Sequence, residues 1–260
     1  MLTAALTAST LLLAPQATQV RHLHDSDSAH SEAGRAVAPA GDWNSDGVDD
    51  YAVGAPWASP DFVGSYDDVG EVQIVSGTDG SLLASIPGPS TTLPDYNFGW
   101  SVAGPFDFNG NGTAEIAVGN RYGRVDVYEP LPNLPSFATL VLTYEPLNTF
   151  SLLFEAFGQT LVNLGDLTGD GRNEIGIGDP LADILISPFL FDDGGVIQIF
   201  DGDGFSLLRT YTPGGLASSG GEFGRAMTRV ADMDGNGLGD VAVGAPGSEN
   251  DGGRVFVFDF

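Results

Sequence analysis

Four short acidic segments carry the residues whose types and spacing could do chemistry. They read DWNSDGVDD from Asp42, DFNGNGTAE from Asp107, DLTGDGRNE from Asp166 and DMDGNGLGD from Asp232. In each segment positions 1, 3 and 5 bear oxygen, position 6 is Gly and position 9 is Asp or Glu. A hard cation such as Ca²⁺ takes six to eight oxygen ligands, and a short loop supplies them from alternate side chains. The spacing therefore predicts up to four bound Ca²⁺, one in each loop.

The predicted metal ligands occupy positions 1, 3, 5, 7 and 9 of each loop. Position 7 varies freely, which fits a ligand that uses only its backbone carbonyl, and Gly at position 6 allows a sharp turn. An EF-hand does not fit, because position 12 is Val or Ile where that motif needs Glu. Plain turns would explain the Asp, Asn and Gly residues, but not a carboxylate at position 9 of every copy. The predicted ligands are Asp42, Asn44, Asp46, Val48, Asp50, Asp107, Asn109, Asn111, Thr113, Glu115, Asp166, Thr168, Asp170, Arg172, Glu174, Asp232, Asp234, Asn236, Leu238 and Asp240.

The loops belong to a longer repeat that predicts the strands holding them. The first Asp of the loop recurs after 65, 59 and 66 residues, and nine residues upstream of it stands Phe-Gly in three copies and Ala33-Gly34 in the first. Downstream, apolar residues alternate with period 2 up to a Gly-containing turn, which is typical of a hairpin. In the first copy the predicted strands are 35–40, 50–55, 71–76 and 81–86. Four-stranded units of about 60 residues predict an all-β fold, a β-propeller.

The strand count favours four blades with one strand missing from the last. The fourth strands of copies two and three are predicted at 138–144 and 205–211, whereas the last copy reaches only its third strand before Phe260. An N-terminal strand at 10–14 would close the last blade and cover its edge. The alternative for residues 1–17 is a secretory signal peptide. A part of a larger propeller, completed by self-association, also stays open.

The predicted domains follow from this repeat. Residues 1–32 form an N-terminal apolar segment and polar connector, and residues 33–260 form the propeller. Within it, the blades lie at about 33–90, 91–150, 151–215 and 216–260.

Composition excludes several classes of function. The chain of 260 residues has 35 acidic and 9 basic side chains, all of the latter Arg, for a formal charge of −26. Nucleic acid and anionic membrane surfaces are therefore not expected as partners, since both need a positive patch. No apolar stretch reaches the roughly 18 residues of a membrane span. With no Cys and no G-x-S-x-G motif, no catalytic residue is assigned and the protein is expected not to be an enzyme.

Three motif elements together resemble the FG-GAP repeats of integrin α-subunit propellers and of related bacterial extracellular proteins. They are Phe-Gly, the acidic loop, and the Gly-Ala-Pro seen at 54–56 and 244–246. The resemblance runs from about Gly34 to Phe260. It implies Ca²⁺ loops that join the first and second strands of each blade on one face, with partners usually bound on the opposite face. Copy two departs from it with Gly119-Asn120, copy three with Thr168, and the family's propellers have seven blades.

The function expected from these residues is a calcium-binding, extracellular or cell-surface module for adhesion. Its ligand would be a protein or a carbohydrate on the loop face. Aromatic residues in the long loops of blades one and three either anchor that ligand or fold back and become buried; they are Trp57, Phe62, Tyr66 and residues 189–191. The alternatives are a propeller scaffold of a secreted hydrolase or lyase, and a structural repeat segment of a larger surface protein.

Overall fold

Antiparallel β-sheets make up the regular structure of this protein. The computed structural model describes residues 31–58, 69–89, 97–121, 123–144, 156–186, 189–191, 193–216, 219–248 and 252–260. These residues form seventeen strands and one short 3₁₀ turn at Gly214–Leu216.

Each of the four large sheets, called blades 1 to 4, draws its strands from one sequence repeat. Blade 1 contains β1 (Ala36–Gly41), β2 (Asp50–Ala55), β3 (Glu71–Val75) and β4 (Leu82–Pro87). Blade 2 contains β5 (Ser101–Phe106), β6 (Glu115–Gly119), β7 (Val125–Leu131) and β8 (Leu134–Tyr144). Blade 3 contains β9 (Thr160–Gly165), β10 (Glu174–Asp179), β13 (Val196–Phe200) and β14 (Leu207–Tyr211), with the hairpin β11 (Ile184–Ile186) and β12 (Phe189–Phe191) between its second and third strands. Blade 4 contains β15 (Ala226–Val230), β16 (Asp240–Ala245) and β17 (Arg254–Phe258).

The strand order confirms the predicted all-β propeller of four blades. In blades 1 and 2 the strands pair in chain order, and the same order holds in blade 3 once its inserted hairpin is set aside. Blade 4 has three strands among the described residues. The N-terminal strand predicted to close it, 10–14, lies outside the described residues.

The core consists of three layers, one between each pair of consecutive blades. Trp43 and Phe98 lie in the layer between blades 1 and 2, Phe157 and Phe200 in the next, and Phe223 in the last. The second strand of a blade is therefore apolar on both faces, and every residue of β6 and β10 is buried. This burial explains why those segments read as continuous apolar runs in the sequence.

The Phe-Gly pair is the contact by which each blade fits against the one before it. The Phe side chains at 98, 157 and 223 are at most 2 % exposed. The Gly after each Phe lies against a Gly in the second strand of the preceding blade. A Cβ on that second-strand Gly, which is Gly54, Gly119 or Gly178, would collide with the carbonyl oxygen of the Gly in the Phe-Gly pair. This close approach requires Gly at all three positions.

The contact is not repeated between blades 4 and 1 among the described residues. A Cβ on Gly244 would meet nothing closer than Ala226 of its own blade, at 3.6 Å, and one on Gly34 would meet nothing within 4 Å. The outward faces of these two blades are also exposed, with Val37 at 60 % and Val255 at 74 %. Ala33, the residue in place of Phe in the first copy, is exposed as well. The missing Phe of the first repeat thus coincides with a missing neighbour.

Candidate metal centres

Each predicted acidic loop joins the first and second strands of its blade, as the resemblance implied. The loops span 42–49, 107–114, 166–173 and 231–239. They therefore lie at the same end of the first strand of each blade, which we call the inner strand. In every loop the position 1 carboxylate accepts a hydrogen bond from the amide of the position 6 Gly, at 2.9, 3.2, 2.9 and 2.7 Å in chain order. The position 5 side chain likewise accepts one from the amide at position 7. These bonds turn the oxygen-bearing side chains of positions 1 and 5 back over their own loop.

The position 9 carboxylates begin the second strands and are buried. Asp50 and Asp240 are 2 % exposed, and Glu115 and Glu174 are fully buried. In each blade one oxygen of this carboxylate accepts a hydrogen bond from the amide at loop position 2, the donors being Trp43, Phe108, Leu167 and Met233. A buried carboxylate held in this way fixes the loop to the strand that follows it.

Several loop oxygens are buried without a hydrogen-bond partner among the described residues. They are Oδ1 of Asp107, Oε1 of Glu115 and Oδ1 of Asp240, at positions 1, 9 and 9 of their loops. Burial raises the pKa of Glu115 to about 7, and it also raises the pKa values of Asp50 and Glu174. Buried polar atoms are normally paired, so these oxygens need a partner that the described residues do not provide. A divalent cation fits that need, because it attracts acceptor oxygens and favours the ionised carboxylate.

The turn after the third strand adds acidic residues that sequence reasoning missed. Carboxylate oxygens of Asp170, Glu174 and Asp201 lie within 4.8 Å of one another, as do those of Asp234, Asp240 and Asp259. In blade 2 the third strand itself supplies Glu129, whose carboxylate accepts hydrogen bonds from the side-chain Nδ2 groups of Asn109 and Asn111, at 3.0 and 2.8 Å.

The same turn supplies an uncharged side chain in blade 1, where the Thr78 hydroxyl donates to Asp46 at 2.9 Å. A residue in or just after the third strand thus reaches the acidic loop in all four blades. In sequence the signal for Asp201 is an Asp-Gly pair at the end of β13, and such a pair is typical of a hairpin turn.

Two predicted ligands differ in character from the rest. The Arg172 side chain points away from its loop and forms an ion pair with Asp203 at 2.9 Å, so only its backbone carbonyl is available to a cation. The Thr168 hydroxyl lies 3.5 Å from the Glu174 carboxylate in a half-buried position. Thr168 therefore keeps an oxygen in the loop although it carries no charge.

The candidate aromatic anchors are described only in part. Trp57 packs edge-on against Trp100, with ring centroids 6.5 Å apart, so it folds back onto the neighbouring blade. Residues 189–191 form β12, which pairs with β11. Phe62 and Tyr66 lie outside the described residues.

The chain is similar in sequence to the FG-GAP repeat and to integrin α subunits. The model of the FG-GAP repeat matches residues 98–128 and 223–258. Integrin alpha-4 of Xenopus laevis is 32% identical over 150 residues, covering 54% of this chain and 13% of the relative. Integrin alpha-5 of Xenopus laevis is 28% identical over 241 residues, covering 82% and 20%, and human integrin alpha-8 is 27% identical over 240 residues, covering 88% and 20%. The chain spans a fifth or less of the length of these curated relatives.

Within the described part, no helix has the length and apolar character needed to cross a membrane.

Each matched FG-GAP segment contains a Phe-Gly pair, an acidic loop and strands of one blade. The first segment covers β5, β6 and most of β7, and the second covers β15, β16 and β17. This chain is accordingly a β-propeller that matches the FG-GAP repeat at 98–128 and 223–258 and is similar in sequence to integrin α subunits.

Proposed function

We propose that this protein is a calcium-stabilised, extracellular module of adhesion type that binds a protein ligand. The observation that carries the calcium assignment is the set of buried carboxylate oxygens, at loop positions 1 and 9, that have no hydrogen-bond partner within the described part of the chain. The similarity to integrin α subunits supports the extracellular, adhesion-type role.

Calcium fits these loops better than magnesium. Each loop offers oxygens from four side chains and one carbonyl, and in blades 3 and 4 a further carboxylate from the third-strand turn. Ca²⁺ takes six to eight such ligands in flexible geometry, whereas Mg²⁺ prefers a small octahedral shell and keeps its waters. The cation would neutralise the crowded carboxylates and clamp the third-strand turn to the loop.

Thermal melting in a Ca²⁺ titration tests the metal assignment. Stabilisation by a ligand that binds only the folded state grows as the logarithm of its free concentration, reaching about 2.7 kcal/mol per site at one hundred times Kd. We expect the melting temperature to rise with Ca²⁺ and much less with equimolar Mg²⁺. The variant Asp240→Asn, which alters one position 9 carboxylate, should bind one Ca²⁺ fewer by calorimetry. A melting temperature that does not move at millimolar Ca²⁺ contradicts the assignment.

A binding screen tests the adhesion role. The immobilised chain is exposed to an array of purified extracellular matrix proteins, once with Ca²⁺ and once with EDTA. We expect at least one protein to bind with Ca²⁺ and to be lost with EDTA. An array in which no protein binds in either condition contradicts the proposed role.

A further inference from the structure

A small cavity lies at the end of the inner strands opposite to the acidic loops. It has a volume of about 210 Å³ and is lined by Arg35, Trp100, Gln159, Thr160 and Arg225. Each blade contributes the residue that follows the Gly of its Phe-Gly or Ala-Gly pair, namely Arg35, Trp100, Gln159 and Arg225 in chain order. Since β1 contains six residues at about 3.3 Å each, roughly 20 Å separates this end of the strand from the metal loops.

Repeated turns hold these residues in equivalent places. In each blade the amide of the lining residue donates to the carbonyl three residues earlier, at 3.0, 3.2, 2.9 and 3.1 Å for Arg35, Trp100, Gln159 and Arg225. The Thr160 hydroxyl also donates to the Arg225 carbonyl at 3.1 Å, which joins blade 3 to blade 4 at the cavity. The lining is therefore positioned by the backbone of four blades rather than by flexible loops.

Arginine is concentrated around the tryptophan of this cavity. The Arg35 guanidinium lies 3.8 Å from the centre of the Trp100 ring, and that of Arg121 lies 5.5 Å from it. With Arg225, three of the nine basic residues of a chain of charge −26 gather at one place. A cation held over an aromatic face is oriented by it while its N–H groups stay available at the edge.

The acidic partners of these arginines leave most of their donors available. Arg35 contacts Glu32 through one nitrogen at 3.5 Å, and Arg225 approaches Glu222 no closer than 3.9 Å. Both pairs are exposed, where a single ion pair contributes little. A guanidinium has five N–H donors in a planar fork, and a carboxylate matches that fork with two oxygens.

We propose that this cavity, called the arginine cavity, binds the carboxylate of a Glu or Asp side chain presented by a protein ligand. Arg35 and Arg225 form the charge-assisted hydrogen bonds, Trp100 supplies a flat apolar wall for the ligand's methylene groups, and Gln159 adds an amide. The inference rests on the proposed function, since it names the chemistry by which the protein ligand is recognised.

Size and charge favour one carboxylate over larger anions. The volume is below the roughly 300–1,000 Å³ of sites that enclose whole small molecules, so it accommodates one side chain of a ligand bound mainly outside it. A polyanion such as heparin would bring many negative charges close to a molecule of charge −26, and the repulsion opposes its binding. A single carboxylate on an otherwise neutral segment incurs little of that repulsion.

Binding of immobilised peptides tests the arginine cavity directly. The probe is a biotinylated Gly-Ser-Glu-Ser-Gly peptide displayed on a streptavidin surface, and the reference is the same peptide with Gln in place of Glu. We expect the full chain in Ca²⁺ to bind the Glu peptide at least ten-fold more tightly. The double variant Arg35→Gln and Arg225→Gln should lose this preference. The control Arg209→Gln removes one positive charge from β14 of blade 3, which does not line the cavity, and should keep the preference.

A second variant guards against loss of folding. Gln159→Glu places a negative charge in the cavity and should abolish the preference while its melting temperature in Ca²⁺ stays near that of the parent. Equal binding of the two peptides, or an undiminished preference in the Arg35 and Arg225 double variant, overturns the proposal. Binding of heparin that depends on Arg35 and Arg225, without a preference for Glu, also overturns it and assigns the cavity to a sulfated polysaccharide.

The screen of matrix proteins separates this inference from the proposed function. A matrix protein that binds the parent chain and the Arg35 and Arg225 double variant equally well overturns the arginine cavity and leaves the adhesion role intact. Preference for the Glu peptide in a chain that binds no matrix protein supports the cavity and contradicts the adhesion role.

Discussion

Asp179 has a buried carboxylate. It occupies the middle position of Gly178-Asp179-Pro180, where the first and last repeats have the Ala of Gly-Ala-Pro. It is 2 % exposed, and neither of its oxygens is in hydrogen-bond geometry with a group that the structure describes. Burial raises its pKa from 3.8 to about 7, and the nearby Leu181 amide offsets only part of that effect. Between those two pH values the folded protein holds a proton that the unfolded chain has released. Stability from this group is therefore complete below about pH 3.8 and is lost as the pH rises through 7.

Replacing Asp179 with Asn removes that pH dependence. Above pH 7 the folded parent must bury a charge, so Asp179→Asn should be more stable than the parent by on the order of 1–4 kcal/mol, and the difference should vanish near pH 4. Urea unfolding of both proteins in saturating Ca²⁺ at several pH values measures this. The control Asp183→Asn removes a carboxylate from the same loop but keeps Asp179, so the parent's fall in stability as the pH rises through 7 should remain. An advantage of Asp179→Asn that is the same at pH 4 and pH 8 would show that the carboxylate is not the cause.

Asp201 is the residue that best shows what the repeat pattern leaves out. The loop ligands were predicted because their spacing recurs. By contrast, Asp201 and Asp259 directly follow the third strands and Glu129 lies within β7, at positions where blade 1 has no matching carboxylate. They reach the loops through strand pairing, which joins the second and third strands of each blade. Single-sequence spacing contains no information about that cross-strand proximity.

Removing the Asp201 carboxylate should weaken calcium binding in blade 3. Asp201→Asn takes one charged oxygen from the group formed with Asp170 and Glu174, so we expect about a ten-fold or greater loss of affinity at one site and none at the other sites. Asp203→Asn removes a carboxylate two residues away that instead pairs with Arg172, and it should cost much less. Calorimetric Ca²⁺ titration measures both. Equal losses in the two variants would mean that only overall charge matters.

At the level of elements, Phe-Gly acts between blades rather than within one. Its Phe fills the layer against the preceding blade, and its Gly carbonyl lies against the Gly of that blade's second strand. The sequence pattern showed the pair, its spacing, four strands in each of the first three repeats and three in the last. It could not show the partner of the pair, because the contacting Gly residues are 39 to 46 positions apart.

The hairpin of β11 and β12 was missed for a related reason. Its strands have three residues each and lie within a long loop whose apolar residues do not alternate regularly. The sequence showed only that aromatic residues gather there, and both a ligand anchor and a buried loop fit that observation. Short strands of this kind are stabilised by their packing more than by their own propensity.

Alanine at the inter-blade Gly positions tests this contact. A Cβ on Gly178 would collide with the Gly224 carbonyl, so Gly178→Ala should destabilise the protein by about 1–3 kcal/mol. The matched variant Gly244→Ala meets only Ala226 at 3.6 Å and should be neutral or gain up to about 1 kcal/mol. Chemical unfolding of the two variants measures the difference. A loss at Gly244 equal to that at Gly178 would show that another blade packs on blade 4 in solution.

Across the whole molecule, the acidic loops and the arginine cavity lie at opposite ends of the inner strands. Of its 35 acidic residues, eleven occupy predicted ligand positions in the four loops: three, two, three and three in chain order. Arg35 and Arg225 line the cavity at the other end of the inner strands, and Arg121 lies beside its Trp100 ring. Four Ca²⁺ would change the formal charge from −26 to −18. The acidity that remains is not explained by the metal loops.

This charge predicts how salt acts on the protein with and without calcium. In EDTA the loop carboxylates repel one another, and raising the salt from about 0.01 to 1 M shortens the screening length from roughly 30 to 3 Å. We therefore expect the melting temperature in EDTA to rise with NaCl, and to rise less in saturating Ca²⁺, because the cations already neutralise part of the repulsion. Melting curves across this range in both conditions measure the effect, and sucrose at matched osmolality separates screening from preferential exclusion. If the melting temperature in EDTA does not depend on NaCl, repulsion within the loops does not limit the stability of the metal-free protein. The eleven carboxylates would then have to be relieved by protonation, which the pH dependence of the same curves would reveal as higher stability toward acid.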